Sequence, residues 1–329
     1  MTKFRWGVAG PGAIAVRFAD AMRLADGGEI VAVASRSQER ADAFGDRFEV
    51  ARRYGDYAAL AADPDVDVVY VATPQSEHEA HALGFLRAGK HVLCEKPFAM
   101  NADQAGAMVA EARARRLFLM EAIWSRFLPA YRSLADIIAE GRIGEPLHVM
   151  ADFGVRMPVD PDNRLFKPEL GGGALLDLGL YPVQLCQMVL GTPEDVSANG
   201  VIGVTGVDEQ VAAVLRHPGG RLSVVTTGLR VHTSRTARIS GSEGWIDLPS
   251  YMHCPGSLTV NTKAGRQYIT EHIDASHEGN GMQFEIDEVH RCLAEGRTES
   301  KAMPWADTMA ISETLDSIRS QIYYKPSTN

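Results

Sequence analysis

The segment that decides the fold runs Phe4-Arg5-Trp6-Gly7-Val8-Ala9-Gly10-Pro11-Gly12-Ala13-Ile14-Ala15. Residues 4–9 are mostly apolar and predict a strand, and apolar residues at helical spacing follow from Ile14. In a strand–turn–helix unit, Gly10 permits a tight turn and Gly12 lets the backbone approach a pyrophosphate. The helix N-terminus offers free N–H groups and a positive dipole end to phosphates. The segment therefore predicts a dinucleotide site with cofactor contacts at Gly10, Gly12, Ala13 and Ile14.

The tip of the second predicted strand indicates which dinucleotide binds. The apolar run 30–34 ends in Ser35-Arg36-Ser37-Gln38-Glu39-Arg40, without an Asp or Glu to hold a ribose 2′-hydroxyl. Ser35 can donate a hydrogen bond, and the guanidinium groups of Arg36 and Arg40 suit a 2′-phosphate. We therefore expect NADP rather than NAD. The alternative is a solvated basic turn that precedes the next helix.

A lysine stands at the end of a later apolar strand, in the stretch Lys90-His91-Val92-Leu93-Cys94-Glu95-Lys96-Pro97. Pro97 cannot donate a ladder hydrogen bond, so the strand ends there. In open α/β sheets the carboxyl ends of the strands face the ligand crevice. We therefore expect Lys96 beside the cofactor. Glu95 anchors either Lys96 or the surroundings of the cofactor, and the sequence does not distinguish the two.

A third apolar strand, 67–72, leads to the same edge of the sheet. It runs into Thr73 and Pro74, which we expect to line the nicotinamide pocket. His78 is a candidate ligand contact. The alternative for His78 is a surface position in the first turn of the next helix.

The order of elements predicts an α/β protein with two domains. Strands alternate with helices over residues 1–122, which indicates a doubly wound parallel sheet of the Rossmann type. Residues 123–329 contain consecutive strands between about 196 and 271 with no helices between them, which predicts an α+β domain with a large, mainly antiparallel sheet. The alternation of residues 222–226 leaves one sheet face open, and such faces often form subunit interfaces.

A carboxylate and a phenol follow the glycine-rich stretch 171–173. Asp177 and Tyr181 are four residues apart, so a helix places them on one face. A polar pair on an apolar helix requires a polar partner or a cleft. The alternative is a tyrosine hydroxyl that Asp177 satisfies inside the core.

Composition argues against several classes of function. A net charge of −9 and the lack of a Lys/Arg run disfavour nucleic-acid binding. No apolar run of about 18 residues predicts a membrane span. Four scattered cysteines without a CxxC pair, and no His/Asp/Glu cluster, argue against a disulfide framework and a metal site. Residues 1–7 lack the apolar core of a signal peptide, so we expect a cytoplasmic protein.

The motifs together resemble the glucose–fructose oxidoreductase / inositol dehydrogenase (Gfo/Idh/MocA) family over essentially the whole chain. They are Gly7-x-x-Gly10-x-Gly12-x-Ile14-Ala15, Ala72-Thr73-Pro74-x-x-x-His78, Glu95-Lys96-Pro97 and Asp177-x-Gly179-x-Tyr181. The stretch 120–129 and the tyrosine at 181 look like the branch of dimeric dihydrodiol dehydrogenases and NADP-dependent D-xylose dehydrogenases. We count Glu95 and Arg126 among the expected cofactor contacts.

The resemblance implies hydride transfer between NADP and a sugar, polyol or vicinal diol, and a homo-oligomer (dimer or tetramer) formed through the C-terminal sheet. It also implies a cis peptide before Pro97. In the mechanism we expect, Tyr181 is the general base. A free phenol has a pKa of about 10, and the ammonium of Lys96 would favour its phenolate. Asp177 would orient the substrate, Lys96 or both. The alternatives are an NAD-linked inositol-type dehydrogenase and a non-enzymatic dinucleotide-sensing regulator.

Overall fold

The computed structural model describes residues 3–323, and the chain divides into two compact units. The first consists of Met1–Phe127 and Glu278–Met309, and the second of Leu128–His277 and Ala310–Asn329. The division after Phe127 lies close to the expected boundary at 122. The return of Glu278–Met309 to the first unit was not expected, because the contacts that hold this segment there join residues far apart in sequence. In one of them, the indole N–H of Trp6 donates to His290 Nε2 at 2.9 Å.

The first unit contains a parallel sheet. Its strands are β1 (Phe4–Ala9), β2 (Gly28–Ala34), β3 (Arg52–Tyr54), β4 (Val68–Val71), β5 (His91–Glu95) and β6 (Leu119–Ala122). Its first helices are α1 (Ala13–Met22), α2 (Gln38–Phe48), α3 (Tyr57–Ala62), α4 (His78–Arg87) and α5 (Ala102–Arg115). The strand order β3-β2-β1-β4-β5-β6 is that of a doubly wound dinucleotide-binding sheet. Strand β4 is buried throughout, as expected for a strand covered on both faces.

The second unit contains a larger sheet packed on helices α6 (Pro129–Ala139) and α7 (Leu180–Leu190). Its strands are β7 (Pro146–Gly154), β8 (Asp195–Ile202), β9 (Asp208–His217), β10 (Arg221–Gly228), β11 (Ala237–Gly241), β12 (Gly244–Leu248), β13 (Ser257–Ala264) and β14 (Gln267–Asp274). The order is β14-β13-β12-β11-β7-β10-β9-β8. Neighbouring strands are antiparallel except β7 and β10, which are parallel. The expected α/β fold class is confirmed.

Two helices complete the chain, α8 (Gln283–Ala294) in the first unit and α9 (Trp305–Tyr323), which ends in the second. A further helical stretch, Pro168–Leu190, is long and apolar enough to cross a membrane, with a mean hydropathy of 1.3. This corrects the expectation that no apolar run reaches that length. However, 89% of its apolar window is buried inside the structure, as in the core helix of a globular unit.

Candidate active site

The turn between β1 and α1 fits a dinucleotide. Gly10 has a φ of +90°, and a Cβ there would lie 2.8 Å from the carbonyl oxygen of Ala72, so only glycine fits. A Cβ on Gly12 would meet nothing within 4 Å, so space is open in front of this backbone. The N-cap residue Gly12 makes no side-chain cap to α1. The first amides of α1, those of Ala13 and Ile14 included, thus lie at an uncapped helix start that suits a pyrophosphate.

Two arginines cluster where β2 ends. Ser37 caps α2, and its hydroxyl accepts from the amide of Arg40. Ser35 is buried, and its hydroxyl accepts from the amide of Ser37 at 3.3 Å. Burial raises the pKa of Tyr57, while the charges of Arg36 and Arg40 act on it in the opposite direction. The charges of both guanidinium groups therefore act on the Tyr57 phenol.

This corner extends toward the end of β4. The ring of Tyr57 lies 4.3 Å from that of His81, and His81 Nδ1 lies 3.0 Å from the hydroxyl oxygen of Thr73. Sequence reasoning had identified Thr73 but neither Tyr57 nor His81. The spacing of residues in α3 and α4 does not predict that Tyr57 and His81 come together. Their contact arises from the parallel arrangement of the strands that precede these helices.

Buried carboxylates hold the backbone around Lys96. Glu95 Oε2 accepts from the Lys96 amide at 3.0 Å, and the hydroxyl of Tyr70 donates to Glu95 Oε1 at 2.5 Å. Glu121 Oε1 accepts from the Phe98 amide at 3.1 Å. The peptide between Lys96 and Pro97 is cis, as the resemblance implied. Glu95 therefore holds the backbone amide of Lys96.

Two predicted cofactor ligands have their polar groups engaged inside the first unit. His78 is buried, with Nδ1 2.9 Å from the carbonyl oxygen of Pro97 and Nε2 2.9 Å from that of Thr73. Burial lowers its pKa to about 4, so the neutral ring braces these two loops. The buried guanidinium of Arg126 pairs with Asp307. Both ring nitrogens of His78 thus contact backbone carbonyl oxygens, and Arg126 has an ion-pair partner within the first unit.

Acidic residues beneath the same sheet edge have strongly shifted pKa values. Burial raises the pKa of Glu121 to about 7. Burial, and then the charge of Glu95, raises the pKa of Glu285 on α8 well above its ordinary value. Neither carboxylate oxygen of Glu285 has a hydrogen-bond partner among residues 3–323. Clustered carboxyl groups with raised pKa values are typical of functional sites. Sequence reasoning assigned no role to Glu121 or Glu285, because their burial depends on packing that the local sequence does not show.

In the second unit, the helix that carries Asp177 and Tyr181 begins with a π-helical turn, Leu175–Gly179. Such turns are rare and occur often at functional sites. Both side chains are buried. Asp177 Oδ1 accepts from Arg164 Nη2 at 3.0 Å. Arg164 was not predicted, because the loop that carries it has no regular pattern.

Aromatic rings surround Tyr181. Its ring lies 5.7 Å from Phe153 and 4.9 Å from His253, and the last two stack at 4.5 Å. The sequence assigned no role to His253. One helix thus carries a phenol and a carboxylate, the guanidinium of Arg164 pairs with that carboxylate, and two aromatic rings pack beside the phenol. This combination suits a hydroxyl-bearing ligand. Among residues 3–323, no group of three or more His, Cys, Asp or Glu side chains is arranged to hold a metal ion.

The chain matches known proteins over nearly its full length. Residues 4–122 match the oxidoreductase family with an NAD-binding Rossmann fold, and residues 131–247 match the GFO/IDH/MocA C-terminal domain. A trans-1,2-dihydrobenzene-1,2-diol dehydrogenase from Danio rerio is 39% identical over 324 residues, which cover 97% of this chain and 96% of that protein. The Homo sapiens protein of the same name is 37% identical, with 97% and 96% covered.

Solved structures share the fold. A 3-ketoreductase from Actinomadura kijaniata, in complex with NADP and TDP-benzene, superposes with a TM-score of 0.86 at 28% identity and covers 98% of this chain and 100% of its own. Levoglucosan dehydrogenase, in complex with NADH and levoglucosan, has a TM-score of 0.88 at 24% identity, with 97% of each chain covered. The latter likeness shows the fold alone.

A Rossmann sheet with a glycine turn, joined to a unit with a large mixed sheet, defines an NAD(P)-dependent oxidoreductase. The chain belongs to the Gfo/Idh/MocA oxidoreductase family, and it is a dehydrogenase that acts on CH–OH groups.

Proposed function

We propose that the protein is an NADP-dependent dehydrogenase that transfers a hydride between the nicotinamide and a sugar or vicinal diol. The observation that carries this proposal is the Tyr181 phenol beside the rings of Phe153 and His253, with Asp177 on the same helix. Sugars and cyclic diols present an apolar face and a hydroxyl-bearing edge, which such a wall and polar pair can recognise. The names of the diol dehydrogenase relatives support this class of substrate.

The proposed reaction oxidises a secondary alcohol to a carbonyl. When bound in the Rossmann unit, NADP⁺ would supply the hydride acceptor. The carbinol C–H bond breaks with its electron pair, the hydroxyl proton passes to the Tyr181 phenolate, and a C=O bond forms. In the reverse direction, the phenol returns the proton to the carbonyl oxygen. General base catalysis by a positioned side chain contributes a factor of about 10²–10⁴.

Lys96 and Asp177 assist Tyr181 in the proposed reaction. The ammonium of Lys96 would favour the phenolate of Tyr181 and stabilise charge on the substrate oxygen. The hydrogen bond from the Lys96 amide to Glu95 fixes the backbone from which this side chain extends. Asp177, paired with Arg164, would accept hydrogen bonds from substrate hydroxyls and orient the reacting carbon.

The proposed preference for NADP rests on the basic corner at the end of β2. The charges of Arg36 and Arg40 both act on Tyr57, Ser35 is at the strand tip, and that tip contains no acidic residue. A 2′-phosphate carries the charge and the acceptor oxygens that two guanidinium groups bind well.

The test is NADP⁺ reduction against a panel of aldoses, inositols and trans-dihydrodiols, measured as kcat/KM. Activity on an aldose or a dihydrodiol supports the proposal, and activity confined to inositols with NAD⁺ supports the inositol-type alternative. Cofactor binding without turnover of any panel member would favour the regulator instead.

Two substitutions then test the assigned roles. We expect Tyr181→Phe to lower kcat at least about 100-fold, while Tyr268→Phe, at an exposed position on β14, leaves it unchanged. Lys96→Ala should also lower kcat, with Lys263→Ala on β13 as its control. Turnover of Tyr181→Phe close to that of the wild type would remove Tyr181 from the role of base. Retained kcat with weaker NADP binding in Lys96→Ala would make Lys96 a cofactor residue.

A further inference from the structure

The helix that carries Asp177 and Tyr181 is capped by a residue from another strand. Its N-cap residue, Ala174, provides no side-chain hydrogen bond. Instead, Oδ2 of Asp208, at the start of β9, accepts from the amide of Leu175 at 2.7 Å. The first amides of a helix lack partners within it, and a carboxylate there satisfies one of them and opposes the positive dipole end.

The glycine-rich stretch 171–173 makes this cap possible. Gly173 has a φ of +125°, and a Cβ there would lie 2.2 Å from Oδ1 of Asp208. A Cβ on Gly172 would lie 2.7 Å from the carbonyl oxygen of Leu165. Any larger residue at 173 would push the carboxylate away from the helix start. Glycine at 172 and 173 therefore leaves the space that the Asp208 carboxylate and the Leu165 carbonyl occupy, which the sequence alone does not show.

The last described turn of α9 holds the carboxylate in place. The hydroxyl of Tyr323 donates to Asp208 Oδ1 at 3.0 Å and accepts from the Asp208 amide at 2.8 Å. Two residues earlier, Gln321 Oε1 accepts from the Ala198 amide at 2.9 Å, and Gln321 Nε2 donates to the Val196 carbonyl at 2.7 Å. The end of α9 is thus joined to β8 and to the start of β9 at once.

Asp208 is almost fully buried, at 3% exposure, and burial raises its pKa to about 6. The amides of Leu175 and Ala174 and the hydroxyl of Tyr323 act against this rise. A buried carboxylate with three such donors has one well-defined orientation.

We propose that Asp208 and Tyr323 are positioning residues for the dehydrogenase reaction, in which the C-terminal helix fixes the start of the helix that presents Asp177 and Tyr181. This inference rests on the proposed function for its kinetic part. Loss of the Tyr323 hydroxyl frees the Asp208 carboxylate to turn, which loosens the amides at 174–175 and displaces the Tyr181 phenol from its reactive position. A small displacement of a reacting group can lower a rate substantially.

The experiment compares Tyr323→Phe, Asp208→Asn and the double variant with the wild type. Tyr54→Phe is the matched control, because it removes a hydroxyl that donates to an aspartate, Asp63, at 3.0 Å in the first unit. The readouts are kcat, KM for the substrate, the dissociation constant for NADPH, and amide hydrogen exchange of the 174–181 peptide. Hydrogen exchange requires no turnover, so it tests the cap even if the panel reveals no substrate.

We expect Tyr323→Phe to lower kcat about tenfold and to speed exchange in 174–181, with the NADPH dissociation constant unchanged. The reductions in kcat of the two single variants should not multiply in the double variant, because both substitutions break the same hydrogen-bond network. Tyr54→Phe should leave kcat and the 174–181 exchange unchanged.

Unchanged exchange in both single variants would overturn the proposal. Faster exchange with an unaltered kcat would also overturn it, since the cap would then be merely structural. If the wild type turns over no panel substrate, the proposed function fails, and the exchange result alone decides whether Asp208 and Tyr323 hold the helix. If Asp208→Asn does not fold, Tyr323→Phe carries the test, because it keeps the ring and removes one oxygen.

Discussion

Glu121 is a carboxylic acid inside the first unit, 2% exposed, whose Oε1 accepts from the amide that follows Pro97. Burial raises its pKa from 4.5 to about 7, so the folded protein keeps a proton that the unfolded chain loses at lower pH. Between pH 4.5 and about 7, the Glu121 carboxyl group is deprotonated in the unfolded chain and protonated in the native protein. The contribution of Glu121 to stability is therefore complete below pH 4.5 and is lost as the pH rises through about 7.

This sign predicts how Glu121→Gln behaves. The amide keeps an oxygen for the Phe98 N–H but does not titrate. We expect the free energy of unfolding of the wild type, relative to the variant, to fall by about 3 kcal/mol between pH 4.5 and 7.5. Urea denaturation across that range measures it. The control is Glu111→Gln, because hydrogen bonding to Arg115 lowers the pKa of Glu111. The free energy of unfolding of the wild type, relative to Glu111→Gln, should not fall over this pH range. A flat difference for Glu121→Gln would contradict the assigned protonation.

Arg40 bears on the choice of cofactor. It lies in the first turn of α2, and its charge acts on Tyr57 together with that of Arg36. We expect Arg40→Ala to lower the ratio of kcat/KM for NADP⁺ to that for NAD⁺ at least about tenfold, since tenfold corresponds to about 1.4 kcal/mol and charge-assisted pairs exceed it. The matched control is Arg47→Ala in the last turn of the same helix. An unaltered ratio, or a wild type that prefers NAD⁺, would refute the expected 2′-phosphate contact.

The β1–α1 turn is the element on which cofactor binding depends. Gly12 has a φ of −89°, which alanine adopts readily, and the space around its missing Cβ is open. We expect Gly12→Ala to fold with a melting temperature within about 2 °C of the wild type, because no protein atom is displaced. The new methyl group would occupy the path of the pyrophosphate, so the dissociation constant for NADPH should rise at least about tenfold.

Fluorescence titration with NADPH measures this effect, and Gly84→Ala is the control. Gly84 lies within α4, and a Cβ there also meets nothing within 4 Å. Its substitution should leave the dissociation constant unchanged. Normal NADPH affinity in Gly12→Ala would show that the pyrophosphate does not pass this turn.

The outer face of the second sheet exposes apolar side chains that bear on how the protein assembles. One row of register partners crosses five strands and consists of Val214, Val224, Met150, Arg238 and Asp247. Met150 is 54% exposed and Val214 44%. Apolar side chains in such a row are unfavourable in water, and we propose that a second copy of the chain covers them.

We therefore expect the wild type to be a dimer or tetramer by light scattering at micromolar concentration. Met150→Glu should shift it to the monomer, because a buried unpaired charge is costly at an interface. Val204→Lys, in the loop after β8, is 93% exposed and should not change the mass. A monomeric wild type, or a Met150→Glu variant of unchanged mass, would contradict the proposed interface.

Much of the architecture followed from local patterns. The apolar runs at β1, β4 and β5 each fill a strand that is buried among neighbours, so composition alone predicts them. The hairpin at 217–220 joins β9 to β10 as its Pro-Gly-Gly segment indicates. Gly10 and Gly12 lie where the motif requires them. By contrast, the side-chain partners of Glu95, Asp177 and Asp208 lie 25, 13 and 115 residues away in the sequence, and no spacing predicts such contacts.

Local sequence therefore settled the Rossmann strand–turn–helix, the order of elements, and the residue types available for chemistry at Lys96, Asp177 and Tyr181. Folding determined the hydrogen-bond partners of the buried carboxylates. Tyr70 donates to Glu95, Arg164 to Asp177, and Tyr323 to Asp208. The physical reason is the range of the interactions. Backbone conformation and apolar periodicity act over a few residues, whereas burial, pKa and side-chain hydrogen bonds depend on groups that only the packed chain brings together.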